Sequence, residues 1–264
     1  MQRSRRVWLL LLPFIVVYTV LVVVPTLGVL LKSFVTAHTL ELELLQPAKL
    51  LSVRWTLENY KTLFNSSYYV RTTVNTVVLS AVAVVISLVI GTPVAYLITR
   101  PNLPGKRLLR WVISLPIYLS GVLASYALFL FFSRQGLFTL LTDALLGTPI
   151  QLVRTRAGVI LGTVYIILPM FIRMAVSGFE VISSELGEAS LTLGANELTT
   201  FRKILLPMAL PAIAAGAVVT FTYAMSLVVV VLIMGSGGAT FSILPLESLS
   251  ATRSVDMDIL MAAA

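Results

Sequence analysis

Five long apolar segments constrain the possible folds of this chain more than any other feature. A helix needs about 20 apolar residues to cross the hydrocarbon core of a bilayer. The segments run from Val7 to Leu31, Val70 to Ile98, Trp111 to Phe132 (interrupted at Pro116 and Gly121), Ala157 to Gly178 and Met208 to Met234. Because backbone polar groups find no water in lipid, apolar segments of this length must be helical. The sequence therefore predicts an all-α, polytopic transmembrane helical bundle.

The composition excludes several classes of function. The 264 residues are 58% hydrophobic and 11% charged, whereas about a quarter of the residues in a soluble domain are charged. Cysteine is absent and His38 is the single histidine, so disulfide frameworks, metal sites and histidine chemistry have almost nothing to use. The net charge of +8 comes from dispersed residues rather than one basic stripe. We therefore expect a lipid bilayer as partner, and no nucleic acid and no metal.

The distribution of Lys and Arg predicts the topology. These residues are nearly twice as dense in 1–6, 99–111 and 173–206 as in 32–71, 134–156 and 235–258. Cytoplasmic loops have such an excess, so we place the N-terminus in the cytoplasm and predict 133–156 as an outside loop. The basic N-terminus and the first apolar segment are too long for a signal peptide and lack a small-residue cleavage site.

A polar segment, Glu185–Pro207, separates the last two apolar segments. It opens with good helix formers, and Gly194 is a natural end for a first short helix. Asn196 is placed to cap a second helix, which Pro207 would end while sitting in the first turn of the next one. The pattern predicts two short helices that form a compact knob on the cytoplasmic surface, shaped to fit a partner.

The spacing in this segment resembles the EAA loop of bacterial type I ABC-importer permeases. That pattern is Glu-Ala-Ala, three residues, Gly, nine residues and Ile-x-Leu-Pro, and only Ser190 departs from it. The matching positions are Glu188-Ala189-Ser190, Gly194 and Ile204-Leu205-Leu206-Pro207, with further matches at Asn75-Thr76, Gly91-x-Pro93-x-Ala95-Tyr96 and Trp55–Tyr60. The resemblance implies one transmembrane permease domain over residues 1–264, with a coupling loop at about 180–207. It also implies six helices, the last beginning at Ile259 and cut short at Ala264, so we expect the native chain to continue.

The resemblance also implies a set of partners in the bacterial inner membrane. They are a second permease subunit, two ATP-binding cassette ATPase subunits and an extracytoplasmic solute-binding protein. Gly105-Lys106 lacks the earlier glycine and the following Ser or Thr of a phosphate loop. We therefore expect this chain to be no enzyme and to hold no cofactor, with ATP and Mg²⁺ bound by the partner ATPase.

Seven residues of the loop are predicted to contact that ATPase. The family pattern gives roles to Glu188, Gly194 and Pro207, while small side chains at Ala189, Ser190 and Ala195 would let the knob enter a cleft. Leu193 would supply an apolar anchor there.

Polar side chains within the spans are the candidates for a translocation path. The spans contain no Asp, Glu, Lys or His, which argues against membrane enzymes and proton-coupled transport, and snorkelling to the headgroups explains Arg173. Tyr126, Tyr165, Tyr223 and Ser226 lie on helices that line the pathway in the family. The alternative role for these residues is hydrogen bonding between helices.

The solute is the least constrained part of the prediction. Tyr165-Ile166-Ile167-Leu168-Pro169, Gly194-Ala195 and Ile204–Pro207 look most like the spermidine/putrescine permeases. Permeases for phosphonates, ferric iron, sulfate or sugars share most of these cues, and a polyamine path would be expected to include carboxylates. A polyamine is favoured and the other solutes stay open. An ATP-independent channel or a membrane scaffold is the alternative from another class.

Overall fold

The computed structural model describes residues 11–34, 56–100 and 103–235, and every regular element in these ranges is a helix. This confirms the all-α prediction. Ile259–Ala264, where a sixth helix is predicted, and the first ten residues lie outside the described residues. The helices are α1 (Leu11–Leu31), α2 (Glu58–Asn65), α3 (Ser67–Thr99), α4 (Lys106–Tyr118), α5 (Gly121–Phe132), α6 (Leu137–Leu146), α7 (Arg156–Glu180), α8 (Ser184–Thr192), α9 (Glu197–Thr200), α10 (Leu206–Met225) and α11 (Val228–Gly235).

Five stretches of the described chain are long and apolar enough to cross a membrane. They are Leu11–Leu31, Ser67–Thr99, Gly121–Leu146, Arg156–Glu180 and Glu197–Met225. The first, second and fourth overlap the predicted spans closely, whereas the fifth begins eleven residues earlier and ends nine residues earlier than predicted. The third differs, because α4 and α5 are separated at Leu119 and Ser120, between the predicted interruptions, and the membrane-length stretch begins after this break.

Two other predictions about the elements were wrong. Residues 133–156 are not simply a loop, because they contain α6, whose Thr139 hydroxyl bonds to the carbonyls of Ser133 and Ile150 at 2.8 and 3.2 Å. The predicted fifth span, Met208 to Met234, is divided at Ser226 and Leu227 into α10 and α11. A run of apolar residues shows where lipid is, but does not show where the backbone turns.

The chain divides into two compact units. Among the described residues, the first unit ends at Thr73 and the second begins at Val74. The single-domain assignment stays a prediction. In the first unit, the Asn59 amide donates to the Ser33 carbonyl at 3.1 Å, and the Tyr60 and Ser33 hydroxyls are 2.8 Å apart. Asn59 and Tyr60, which belong to the segment Trp55–Tyr60 that resembles the family, therefore hold Ser33 against α2.

The core of the second unit is a three-helix contact among α3, α7 and α10. Its buried residues come from all three helices: Ala95, Tyr96, Ile98, Phe171, Ile172, Ala175, Phe179, Ala209 and Ile213. Glycines allow the helices to approach closely, since a Cβ on Gly91 would lie 2.6 Å from the Phe171 ring and one on Gly178 would lie 2.5 Å from Ala212. Small residues commonly set such contacts between membrane helices. This packing fixes the ends of the three helices that lie beside the loop at 180–207.

Candidate functional site

The segment between α7 and α10 folds as two helices joined by a tight turn, as predicted. At the end of α8, Gly194 has φ +85°, and its N–H donates to the Leu191 carbonyl at 3.0 Å. The Ala195 N–H donates to the Ser190 carbonyl at 3.1 Å. These two bonds are the Schellman motif, which favours glycine because its turn residue is left-handed. We call residues 184–200 the coupling knob.

The second helix of the coupling knob begins as predicted and ends differently. The Asn196 side chain accepts a hydrogen bond from the Thr199 N–H at 2.8 Å and caps α9. The helix then continues through a π-helical turn, Phe201–Leu205, directly into α10. The prediction that Pro207 ends this helix was wrong, although Pro207 does lie in the first turn of α10.

The π-helical turn explains how the helix passes this proline. Proline has no N–H and its ring collides with the carbonyl four residues earlier. The Leu206 N–H donates to the Phe201 carbonyl, five residues earlier, so the hydrogen-bond register shifts just before Pro207. As a result, Glu197–Met225 is one helix of 29 residues that joins the coupling knob to the membrane core.

A buried pair of hydroxyl groups holds α8 against α9. The Ser190 and Thr200 hydroxyl oxygens are 2.9 Å apart, and Thr200 also donates to the Asn196 carbonyl at 3.1 Å. Ser190 is 6% exposed and Thr200 is fully buried. The residue that departs from the family pattern therefore faces the inside of the coupling knob, and its small size serves the contact between the two helices.

The outer surface of the coupling knob presents apolar and acidic groups. Leu193 is 89% exposed at the turn, Glu188, Ala189 and Gly194 are exposed, and Ala195 is half-buried. Within the part of the chain that the structure describes, no ion pair involves the Glu188 carboxylate. These residues lie close together in the chain, in the second half of α8 and the turn that follows it. Pro207 is exposed but lies ten residues beyond the start of α9, about 15 Å along the helix. Contact with an ATPase stays a prediction for all seven residues.

Three aromatic rings meet directly beneath the coupling knob, and sequence reasoning missed two of them. The centre of the Tyr96 ring of α3 lies 4.6 Å from the centre of the Phe201 ring in the π-helical turn and 5.9 Å from that of the Phe179 ring of α7. The centres of the two phenylalanine rings are 6.2 Å apart. We call these three residues the aromatic cluster. Tyr96 belongs to the Gly-x-Pro-x-Ala-Tyr motif, which was the one available signal.

Arg100 connects the aromatic cluster to the second knob helix. Its guanidinium carbon lies 4.7 Å from the centre of the Tyr96 ring, and a guanidinium N–H donates to the Tyr96 hydroxyl. The same guanidinium lies 3.9 Å from the Glu197 carboxylate at the start of α9. A cavity of about 490 Å³ opens beside these groups, with Tyr96, Phe179 and Glu188 among its lining residues.

One face of α7 lines two further cavities. Ile166, Met170 and Arg173 line a cavity of about 340 Å³, and Arg173 and Ser177 line another of about 380 Å³. The spacing of these four residues places them on one side of the helix, and we call them the pathway face. Arg173 belongs to both cavities. In the described ranges, no ion pair or hydrogen bond involves its guanidinium.

The four predicted path residues are distributed unevenly around these cavities. Tyr223 of α10 lines the first of the two, opposite Arg173. Tyr126 of α5 is 51% exposed, Tyr165 of α7 is half-buried, and neither lines these two cavities. The Ser226 hydroxyl donates to the Tyr223 carbonyl at 2.8 Å, at the break between α10 and α11. Only Tyr223 is therefore placed beside the pathway face, and the role of all four stays a prediction.

Residues 87–264 match the model of a family described as "Binding-protein-dependent transport system inner membrane component". The chain belongs to this family. It is the permease subunit of an ABC importer and has membrane-spanning helices, as the sequence predicted. The family is one of transporter components and not of enzymes.

Individual proteins with sequences or structures similar to this chain support the same class. The spermidine/putrescine permease PotB of Haemophilus influenzae is 31% identical over 216 residues, covering 81% of this chain and 72% of PotB. PotB of Escherichia coli is 29% identical over 230 residues, covering 86% of this chain and 77% of that PotB. A bacterial ABC transporter involved in import of the acidic polysaccharide alginate has the same fold, with a TM-score of 0.79 at 18% identity, covering 99% of this chain and 89% of that one.

Proposed function

We propose that this chain forms half of the translocation pathway of an ATP-driven importer for a polyamine such as spermidine or putrescine. It would work with a second permease subunit, two ATPase subunits and an extracytoplasmic solute-binding protein. Its N-terminus and coupling knob would face the cytoplasm. ATP and Mg²⁺ would be bound by the ATPase, and this chain would hold no cofactor of its own.

The rigidity of the coupling knob supports the coupling part of the proposal. A subunit that hydrolyses nothing must receive work by contact, which requires a knob that keeps its shape under load. The Gly194 turn, the Asn196 cap and the buried contact between Ser190 and Thr200 provide that shape. Leu193 and Glu188 are left on the surface to meet a partner. A channel or scaffold would not require such a surface, so purification with or without an ATPase separates these alternatives.

The single observation that favours a polyamine is the 31% identity to PotB over most of the chain. The chemistry of the described spans adds weak support. Ammonium groups are attracted to the faces of aromatic rings, and Tyr126 and Tyr223 expose part of their rings. Carboxylates for the remaining ammonium groups would come from the second permease subunit.

A second candidate, a solute with an oxyanion such as sulfate or a phosphonate, is favoured by Arg173. A guanidinium on the wall of two cavities and without a partner in the described residues would bind a carboxylate, sulfate or phosphonate through two hydrogen bonds. It would repel a polycation. The two candidates therefore predict opposite effects of removing this charge.

Uptake by the complete transporter in proteoliposomes, with its own solute-binding protein, tests both candidates. Labelled spermidine, putrescine, sulfate and a phosphonate would be compared in the wild type and in Arg173→Gln and Arg173→Lys. A polyamine importer should take up spermidine or putrescine, and Arg173→Gln should leave that uptake equal or raise it. An oxyanion importer should lose uptake about tenfold or more in Arg173→Gln and keep part of it in Arg173→Lys. Uptake of none of the four solutes would contradict both candidates.

Cysteine labelling tests the proposed topology without background, because the chain contains no cysteine. Single cysteines at Lys106 and Gly147 would be exposed to a membrane-impermeant reagent in cells whose inner membrane is intact. Both positions lie in the described chain, at the start of α4 and just after α6. We expect labelling at position 147 and none at 106. The reverse pattern would place the coupling knob outside and contradict the coupling role.

A further inference from the structure

The aromatic cluster joins three elements that are far apart in the sequence. Tyr96 lies near the end of α3, Phe179 near the end of α7 and Phe201 at the start of the π-helical turn. Tyr96 is 9% exposed and Phe179 is 5% exposed. The centres of the three rings are 4.6 to 6.2 Å apart, which leaves little space between the rings. Closely packed interiors pass displacement on rather than absorbing it.

The position of Phe201 makes this contact mechanically significant. Phe201 lies in the single helix that begins in the coupling knob at Glu197 and ends in the membrane core at Met225. A force on the knob must therefore move the Phe201 ring. Because that ring lies against Tyr96 and Phe179, the movement reaches the inner ends of α3 and α7 directly.

Arg100 adds a polar connection along the same route. Its guanidinium contacts the face and the hydroxyl of Tyr96, and it pairs with Glu197 in the first turn of α9. The Lys106 ammonium donates to the Arg100 carbonyl at 3.1 Å, which connects the start of α4 to the same point. The Glu197 side chain is 75% exposed, so the ion pair orients the contact more than it stabilises the fold.

We infer that the aromatic cluster is the contact that transmits movement of the coupling knob to α3 and α7, with Arg100 and Glu197 keeping it aligned. Tyr96 and Phe201 are thus positioning residues, which act through the contact between their rings. This inference rests on the proposed coupling function and names the residues inside the membrane subunit that carry it out. It predicts that docking of the ATPase and transmission of its movement are separable.

Tyr96→Leu and Tyr96→Phe test the inference in the complete transporter, purified with both permease subunits, the ATPase and the solute-binding protein. Tyr96→Leu removes the ring, whereas Tyr96→Phe keeps the ring and removes only the hydroxyl that Arg100 contacts. Leu97→Ala is the matched control, because Leu97 is the next residue of α3 and is 44% exposed. The measurements are the ATPase recovered per permease, basal ATP hydrolysis, hydrolysis stimulated by loaded binding protein, and uptake.

Tyr96→Leu should retain the ATPase and its basal hydrolysis while losing stimulation and uptake by about tenfold or more. Tyr96→Phe should stay within about twofold of the wild type, because the ring contact remains, and Leu97→Ala should match the wild type. Tyr96→Leu and Phe201→Leu both remove the contact between these two rings, so the loss in the double variant should be smaller than the sum of the two single losses.

Three results have distinct meanings. Full stimulation in Tyr96→Leu would overturn the transmission role. Loss of the ATPase from Tyr96→Leu would also overturn it, because the ring would then be needed for docking. A wild-type complex that binds no ATPase would contradict the proposed function itself.

Discussion

The coupling knob and the pathway face belong to the same chain and differ in how their polar groups are satisfied. In the knob, the turn carbonyls, the start of α9 and the buried hydroxyls of Ser190 and Thr200 all have partners within residues 184–200. On the pathway face, Arg173 borders two cavities and has no partner in the described residues. The polar groups of the coupling knob are therefore paired within the knob itself, whereas the guanidinium of the pathway face is left available to the groups that the proposed function would bring to it.

This difference fits the role that we propose for each region. A rigid knob transmits force because its internal bonds do not have to form on docking, so little ordering entropy is lost. A pathway must bind and release a solute, which requires polar groups that are not already occupied. The predictions below test whether the knob is as self-contained as its bonds indicate, and whether its disruption leaves the membrane core intact.

Gly194→Pro should have the largest effect. Proline cannot adopt φ +85°, and it removes the N–H that donates to the Leu191 carbonyl. We expect stimulated hydrolysis and uptake to be abolished, while insertion into the membrane and the yield of the permease stay near wild type. ATPase co-purification, stimulated hydrolysis and uptake of the purified complex measure this.

Gly194→Ala is the graded control for that substitution. Apart from Gly194 and its two chain neighbours, no atom of the described residues lies within 4 Å of the position where the Cβ would be, so the cost comes from the left-handed backbone and amounts to about 1–2 kcal/mol. Its activity should fall between wild type and Gly194→Pro. A Gly194→Pro transporter with full coupling would show that the turn is not needed.

Glu188→Arg should have the next largest effect. The Glu188 side chain is exposed on α8 and has no ion pair within the described residues. If it meets a basic group on the ATPase, reversing its charge replaces attraction with repulsion and weakens docking by about tenfold or more. Titration of the ATPase against the permease pair in proteoliposomes measures this affinity.

Glu185→Arg provides the matched charge reversal, because Glu185 is an exposed acid one turn earlier on the same helix. It should change the affinity much less. An equal loss in both variants would indicate that the overall charge of the coupling knob matters, and not a specific contact of Glu188.

The coupling knob was more predictable from the sequence than the aromatic cluster, for a physical reason. The Gly194 turn and the Asn196 cap depend on residues within a few positions of each other, so local rules found them. The aromatic cluster depends on how α3, α7 and the π-helical turn pack, which no local pattern encodes. The same limit applies to Pro207, where the rule that proline ends a helix failed because the π-helical turn shifted the hydrogen-bond register.

Gly178→Ala tests the membrane core separately from the knob. The added methyl would lie 2.5 Å from the Ala212 Cβ, so α7 and α10 must move apart. Overpacking of this kind costs about 1–3 kcal/mol. We expect a lower melting temperature of the purified permease. Gly187→Ala is the control, because no atom of the described residues beyond its chain neighbours and its own helix backbone lies within 4 Å of its would-be Cβ, and it should melt close to wild type.

Ser190→Ala and Thr200→Val should give the smallest effects, and their order tests whether the hydroxyl pair stabilises the coupling knob from within. In Ser190→Ala, Thr200 still donates to the Asn196 carbonyl, so only one hydrogen bond is lost, at about 0.5–1.5 kcal/mol. In Thr200→Val, the buried Ser190 hydroxyl loses its 2.9 Å partner, and a buried polar group without a partner costs about 1–3 kcal/mol. Amide hydrogen exchange of residues 184–200 in the purified permease measures both, and Thr200→Val should exchange faster. Equal exchange in wild type and both variants would mean that the turn and the cap alone hold the two helices together.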